Sequence, residues 1–402
     1  MSRNDVRTTI QNENIESFNT DLVLQANLKL QSDDDNIQSE GLMEYINLLE
    51  SPFEDQVMAN GGREALAYFM GLSWNGCSER TQKLAIMCLS KVISDSYFDV
   101  EMVIRADFLH HLINNHLQGP PQFVNATTKL LSIVFSESSV AREIIYSTNI
   151  FDRLLQLPLE CNTGELICLA VEHSDEPVPQ IAQLAALMLQ LLETDNFMNA
   201  CYSLRCFSIL ISRNWNIFDF EKLHQILPRY LDCEILEVST AAFLVLEQIP
   251  PNQNDINAVI DCMKYSNSHS HHALKYLKKS IMIWKDSPPS KLIEALQFLL
   301  EHSSFRIAQE ALMLVIPALN GNSAKITPDL IKLICKFLSD TLTGKNAIAT
   351  LRVIMNFMQT PENASLFKTI ISEFEPEIEQ FILDEDNEVA NVAQELLDFM
   401  EI

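Results

Sequence analysis

Four side chains of metal-ligating type fall close together in the chain: Cys262, His269, His271 and His272. One thiolate and three imidazoles are the donor set of a tetrahedral zinc site, provided that all four converge on one point. Adjacent His271 and His272 leave a helix about 100° apart, and Ser266 to Ser270 is polar turn material suited to helix capping. The cluster therefore reads as a helix cap, and no metal and no cofactor are expected. Iron chemistry on a helical scaffold would ask for recurring His-Glu pairs, whereas Glu172-His173 and Glu301-His302 run in the reverse order and do not build four ligands. Nucleotide chemistry fails on different grounds, because loops that cradle phosphate need glycine and none stands between Gly164 and Gly321. A GxSxG nucleophile elbow is absent too. No catalytic constellation emerges, and the expectation is a protein that is not an enzyme.

What remains is charge. With 54 acidic and 28 basic residues the net charge is −26. That disfavours nucleic acid, whose binding needs clustered Lys and Arg to neutralise phosphate, and favours a protein or peptide partner of basic character. One run reverses the sign: Lys264, Lys275, Lys278, Lys279, Lys285 and Lys291 are interrupted by Asp286 alone. Lys275, Lys278 and Lys279 form a candidate basic patch for an acidic partner, with a solvated helix face as the plainer reading. Nine cysteines are scattered singly from Cys77 to Cys335 without a CxxC, which suits buried, reduced thiols. Residues 1–19 hold no apolar leader and no later run offers the eighteen or so apolar residues of a membrane span, so a cytoplasmic or nuclear protein without membrane contact is expected.

The elements that must position these side chains are helices. Apolar residues recur every three or four positions from Leu22 onward, and no alternating stretch bounded by hairpin turns occurs. The stretch from Ser32 to Val92 shows the arrangement most fully. A polar turn, Ser32-Asp-Asp-Asp, leads into the helix Gly41 to Leu49. Pro52 precedes a second helix interrupted at Gly61-Gly62, and a turn at Ser73 to Glu79 precedes a third, Thr81 to Ser94. The pattern returns as Asp99 to Leu117 followed by Gln122 to Phe135, with Ala126 lying 41 residues beyond Ala85. Ser138 to Leu157 and a short helix around Glu165 to Val171 follow. Plainer pairs then run from Pro179 to Met358, with Ala242, Ala273, Ala311 and Ala349 at similar places in the second helix of each pair.

The phrases Ser32-Asp-Asp-Asp, Ser51-Pro-Phe-Glu-Asp-Gln-Val-Met-Ala-Asn-Gly-Gly and Ala85-Ile-Met-Cys-Leu-Ser resemble an armadillo repeat, and in particular the start of the armadillo domain of importin alpha. The resemblance implies an all-α, right-handed superhelical solenoid of the armadillo/HEAT type with about ten helical units. The expected organisation is a polar tail over 1–19 and one repeat domain over 20–402. Within that domain lie an N-terminal cap (20–50), armadillo-like units (55–173), plainer pairs (179–358) and a C-terminal cap (362–402). In importin alpha a groove carries a ladder in which Trp is followed four residues later by Asn. Aligning the alanine phrases places Met87 and Lys91 at one such pair and Thr128 and Ser132 at the next, so neither keeps the ladder residues. Asp95 and Glu137 would add carboxylates beside them.

Together these features imply a scaffold or adaptor that holds a peptide or partner helix in a groove, in the manner of a divergent importin alpha-like cargo adaptor in nuclear import. The alternative is a regulator that grips a folded partner, such as a chaperone or kinase, across a curved surface. Circular dichroism should show an almost wholly helical protein and small-angle scattering an elongated particle; appreciable strand content or a compact sphere would contradict the repeat.

Overall fold

The computed structural model describes residues 18–75, 78–94, 103–117, 120–174, 176–177, 179–215, 219–263, 267–284, 288–289, 291–319, 327–337, 345–358 and 364–401. Every regular element among them is helical, and none of these helices is long and apolar enough to cross a membrane. The chain divides into two compact units, Met1–Leu210 and Ile211–Ile402.

Unit 1 opens with α1 (Thr20–Leu30), α2 (Asp35–Leu49), α3 (Glu54–Val57) and a kink (Met58–Gly62), non-helical at Asn60 and Gly61, that leads into α4 (Arg63–Asn75) and α5 (Glu79–Ser94). Asp34, the polar residue ahead of α2, accepts from the Asn36 N–H as its N-cap. The Gly61-Gly62 interruption falls where the sequence places it. Gly61 has φ of 135°, a conformation that strains any residue with a Cβ, and an added Cβ would lie 2.7 Å from Asn27 Nδ2. The chain can turn there because the position is glycine.

Then come α6 (Ala106–His111), which a π-helical turn (Leu112–His116) continues, and α7 (Pro121–Glu137), opened by proline at its first position. Ser138 to Leu157 is broken into α8 (Ser139–Tyr146) and α9 (Ile150–Leu154). The short helix expected near residue 165 is α10 (Gly164–Glu172), and α11 (Ile181–Leu192) and α12 (Phe197–Ser212) follow. The core is a stack: α2 packs on α5, α5 on α7, and α7 on α10. Helices flanked on both sides are apolar around most of their circumference. In α7, Phe123, Val124, Leu130, Leu131, Val134 and Phe135 are all buried, and burying each such side chain contributes about 1.5–3 kcal/mol before entropy is subtracted.

Unit 2 contains α13 (Phe220–Ile226), α14 (Pro228–Leu231), α15 (Leu236–Gln248), α16 (Gln253–Met263), α17 (Asn267–Lys279) and α18 (Ile281–Trp284). After them come α19 (Leu292–His302), α20 (Phe305–Leu319), α21 (Pro328–Lys336), α22 (Lys345–Met358), α23 (Ala364–Ser372), α24 (Glu375–Ile382) and α25 (Asn387–Glu401). Here the stack runs α15, α17, α20, α22, α25, each in contact with the next. Ala242, Ala273 and Ala311 are fully buried in α15, α17 and α20, where a small side chain lets the neighbouring helix approach closely. Trp284 is wholly buried and donates its indole N–H to Leu277 O at 3.0 Å. Trp215 is half-buried under Arg213, 5.1 Å from the ring centre. Of the nine cysteines, eight are described and all are free, six of them buried; Cys77 lies outside the described residues, as does the tail over 1–17.

A knot of aromatic and imidazole rings closes the middle of unit 1. Trp74 stacks on His111 at 4.9 Å, and His116 lies 4.5 Å from Phe123. Burial, reinforced by the neighbouring His111, pushes the His116 imidazole down to about 4. The unfolded chain takes up that proton near the ordinary value of 6.5 while the folded chain resists it, so the contribution is whole above pH 6.5 and is lost as pH falls through 4. Unit 1 should lose about 3 kcal/mol of stability across that window. Amide protection around Phe108 and Val124, followed by hydrogen exchange, should fall accordingly, and His116→Gln should flatten the slope.

Candidate functional site

Once the stack has buried three sides of each helix in unit 1, one stripe per helix is left for other work. On α5 the stripe is Lys83, Met87, Ser90 and Lys91; on α7 it is Gln122, Asn125, Ala126 and Lys129. Asn162 and Glu165 continue it at α10, and Met198, Asn199 and Tyr202 on α12. Together they line a groove of about 610 Å³.

The rungs are tied to one another by polar side chains. Lys83 Nζ donates to Gln122 Oε1 at 2.5 Å. Asn125 Oδ1 accepts from the Asn162 N–H at 2.7 Å, and Asn162 Oδ1 from Asn196 Nδ2 at 2.7 Å. Asn199 is 1% exposed and holds the start of α10 at two points, accepting from the Gly164 N–H at 3.1 Å and donating to Cys161 O at 2.9 Å. A Cβ on Gly164 would press within 3.2 Å of that asparagine, so the close approach depends on glycine. Lys129 pairs with Glu165 at 3.3 Å, and Lys91 with Glu50 at 2.8 Å. Tyr202 hydrogen-bonds Glu165 as well, and burial, with that carboxylate beside it, raises its phenol above the ordinary range. The lining thus presents three lysines against one carboxylate, in a chain whose acidic residues outnumber its basic ones almost two to one.

Of the residues singled out in the sequence, Met87 and Lys91 line this groove. Thr128 and Ser132 do not: each is 1% exposed and faces the helix stack. The correction is one of register. Groove positions on α5 and α7 recur 39 residues apart, as Lys83 and Gln122 do, not at the 41 that separates Ala85 from Ala126. Two residues turn a side chain by about 200° around a helix, which moves it from the groove to the core. Glu137 is exposed at the end of α7 and is not among the lining side chains, and Asp95 lies outside the described residues. Missed altogether were the asparagines. Asn125, Asn162 and Asn199 recur at intervals of 37 residues, a signal that was visible in the chain.

The histidine cluster of unit 2 is dispersed by its surroundings. His269 is buried and bonded to Ser239 at 2.9 Å, His271 meets Glu310 at 2.9 Å, and His272 meets Glu247 at 2.7 Å. A fourth histidine, His224, belongs to a buried polar knot, its Nδ1 lying 2.5 Å from Asp255 Oδ2, which also accepts from Tyr276 Oη at 3.3 Å. Burial pushes the Asp255 carboxyl up, against the pull of His224. The basic patch is partly consumed too: Lys275 pairs with Glu247, and Lys279 donates to the carbonyls of Glu247 and Ile249 at the end of α15. Lys278 is exposed, whereas Lys264 and Lys285 lie outside the described residues.

No known family pattern matches the chain, and no curated protein does. Among solved structures it is similar to an engineered protein, with a TM-score of 0.56 and 16% identity over 96% of this chain and 100% of that one. A second engineered protein is similar at a TM-score of 0.44 and 18% identity, over 57% of this chain and 98% of that one. A structure from work on a phosphorylation switch that controls the interaction between cadherin and beta-catenin is similar at 0.43 and 10%, over 99% and 94%. The first likeness concerns the fold alone.

Because Asn199 satisfies two buried backbone groups at once, Asn199→Ala should cost unit 1 about 2 kcal/mol. A lowered urea midpoint would register it, and Asn199→Asp, which cannot donate to Cys161 O, should recover only part of the loss.

Proposed function

We propose that unit 1 holds an extended segment of a partner protein in this groove, and that the chain is a non-enzymatic, armadillo-type adaptor whose repeat of about ten helical units runs through both halves of the sequence. The observation that carries the reading is the asparagine series. Asn125 and Asn162 use their side-chain oxygens on the next rung, while their amide N–H groups, at the groove lining, suit the carbonyls of an extended backbone. Lys83, whose described partner is the neutral amide of Gln122, favours a carboxylate on that segment. Net charge by itself favours a basic partner, but the lining reverses that preference locally. A narrower version, a divergent importin alpha-like adaptor working in cytoplasm and nucleus, is supported by the opening phrases of the repeat, while Met87 and Lys91 depart from the ladder residues of that family.

A second reading, a regulator that grips a folded partner, is favoured by one surface: Leu24 and Leu28, one turn apart on α1, are 58% and 64% exposed. Leu24→Ser with Leu28→Ser would remove binding of that kind and leave peptide binding untouched.

Labelled peptides separate the versions. An acidic extended peptide should bind about tenfold more tightly than a basic localisation-type peptide, and Lys83→Glu should erase the difference. Asn125→Ala with Asn162→Ala should weaken both about tenfold while circular dichroism stays unchanged. Lys91→Asn with Met87→Trp should strengthen the basic peptide by adding stacking and an amide. Tight binding of the basic peptide by the unmodified chain would reverse the charge assignment, and no effect of the asparagine pair would remove the groove reading.

A further inference from the structure

The basic cluster of unit 2 has no part in the unit 1 groove. Where α17 and α20 pack together they leave a cleft of about 390 Å³. Lys275 and Lys278 stand on its α17 side, and Leu274, Met313 and Leu314 supply its apolar surface. Leu274 and Leu314 are each 2% exposed and Met313 is half-buried, so the cleft has a fixed floor and one yielding side chain.

The local charges decide what fits. Both carboxylates near the cleft are engaged: Glu310 by His271 at 2.9 Å and Arg306 at 3.7 Å, and Glu247 by His272 and Lys275. Lys279 is turned to the carbonyl end of α15, a favourable place for a cation. Lys278 lies on the cleft, and its exposed ammonium has no carboxylate partner among the described residues. Among the lining side chains Lys275 and Lys278 outnumber Glu310, the reverse of the balance over the whole chain.

We propose that this cleft is a second docking site, separate from the unit 1 groove, for a short partner segment in which a carboxylate side chain stands beside a leucine-sized apolar one. The carboxylate meets Lys278 and the apolar side chain rests against Met313. A second copy of this chain offers such chemistry in Leu383, 86% exposed and followed by Asp384, Glu385 and Asp386. Two chains of charge −26 repel, however, and a loop tip buries far less than the roughly 1,000 Å² of a stable interface, so a partner protein is the better occupant.

The test uses the full chain carrying Lys83→Glu, which removes the other groove's preference for acidic peptides, and a labelled peptide of repeated Glu-Leu-Glu-Ser units read by fluorescence polarisation. Lys278→Glu should weaken binding about tenfold, and salt should weaken it in the parent but scarcely in the variant. Met313→Ser, or serine in place of the peptide's leucines, should weaken it several-fold. Both substituted residues are solvent-accessible, and circular dichroism checks that the fold is kept. Equal binding by the Lys278→Glu form, or equal binding of a peptide with lysine for glutamate, would overturn the site. So would a concentration-dependent dimer in light scattering that Leu383→Ser abolishes, because the cleft would then be a self-interface. If Lys83→Glu has no effect of its own, the unit 1 reading fails while the Lys278 comparison still stands.

Discussion

The structure depends on the sharing of each helix between two neighbours. A helix packed on one side needs an apolar stripe, but α5 and α7 are packed from both directions and bury most of their circumference. What is left for recognition is a stripe about one side chain wide. Every function assigned to unit 1 must therefore be carried by positions one turn apart, such as Lys83 and Met87 on α5 or Gln122, Asn125 and Lys129 on α7.

The same constraint explains which features were legible in the sequence. Class and placement of the elements were readable because both periodicity and breakers are local: Gly61-Gly62 breaks its helix where the residue type demands it, and Pro121 opens α7. The register of the groove was not readable from alanine. Ala85, 0% exposed in the core, and Ala126, which lines the groove, share a residue type without sharing a face. Small side chains fit anywhere that space is short, so their recurrence marks closeness and not direction. Asparagine is the better marker. Its amide must find partners, and the recurrence of Asn125, Asn162 and Asn199 tracks polar groups on a neighbouring rung.

Charge was the least legible property. Summed over the chain it predicts a basic partner, yet three lysines line the unit 1 groove and two line the α17–α20 cleft. The pairings that decide the outcome span wide gaps in sequence: Lys91 with Glu50, Lys129 with Glu165, Lys275 with Glu247. Whether a cation is spent on a carboxylate, as at Lys275, on helix-end carbonyls, as at Lys279, or left facing a cleft, as at Lys278, is set by packing that composition does not encode.

The rungs also bear on how such a chain can change length. One residue inserted between Gln122 and Lys129 would rotate every later side chain of α7 by about 100°, carrying Lys129 off Glu165 toward the core and the buried Thr128 into its place in the groove. Point substitutions at the exposed positions of the stripe, such as Gln122 and Lys129, leave the stack intact, so their chemistry can drift, whereas insertions and deletions are confined to the turns between helices. Chains that share this architecture should therefore differ in loop length and stripe composition while holding their helix lengths in step, which makes helix phase a better guide to kinship than residue identity.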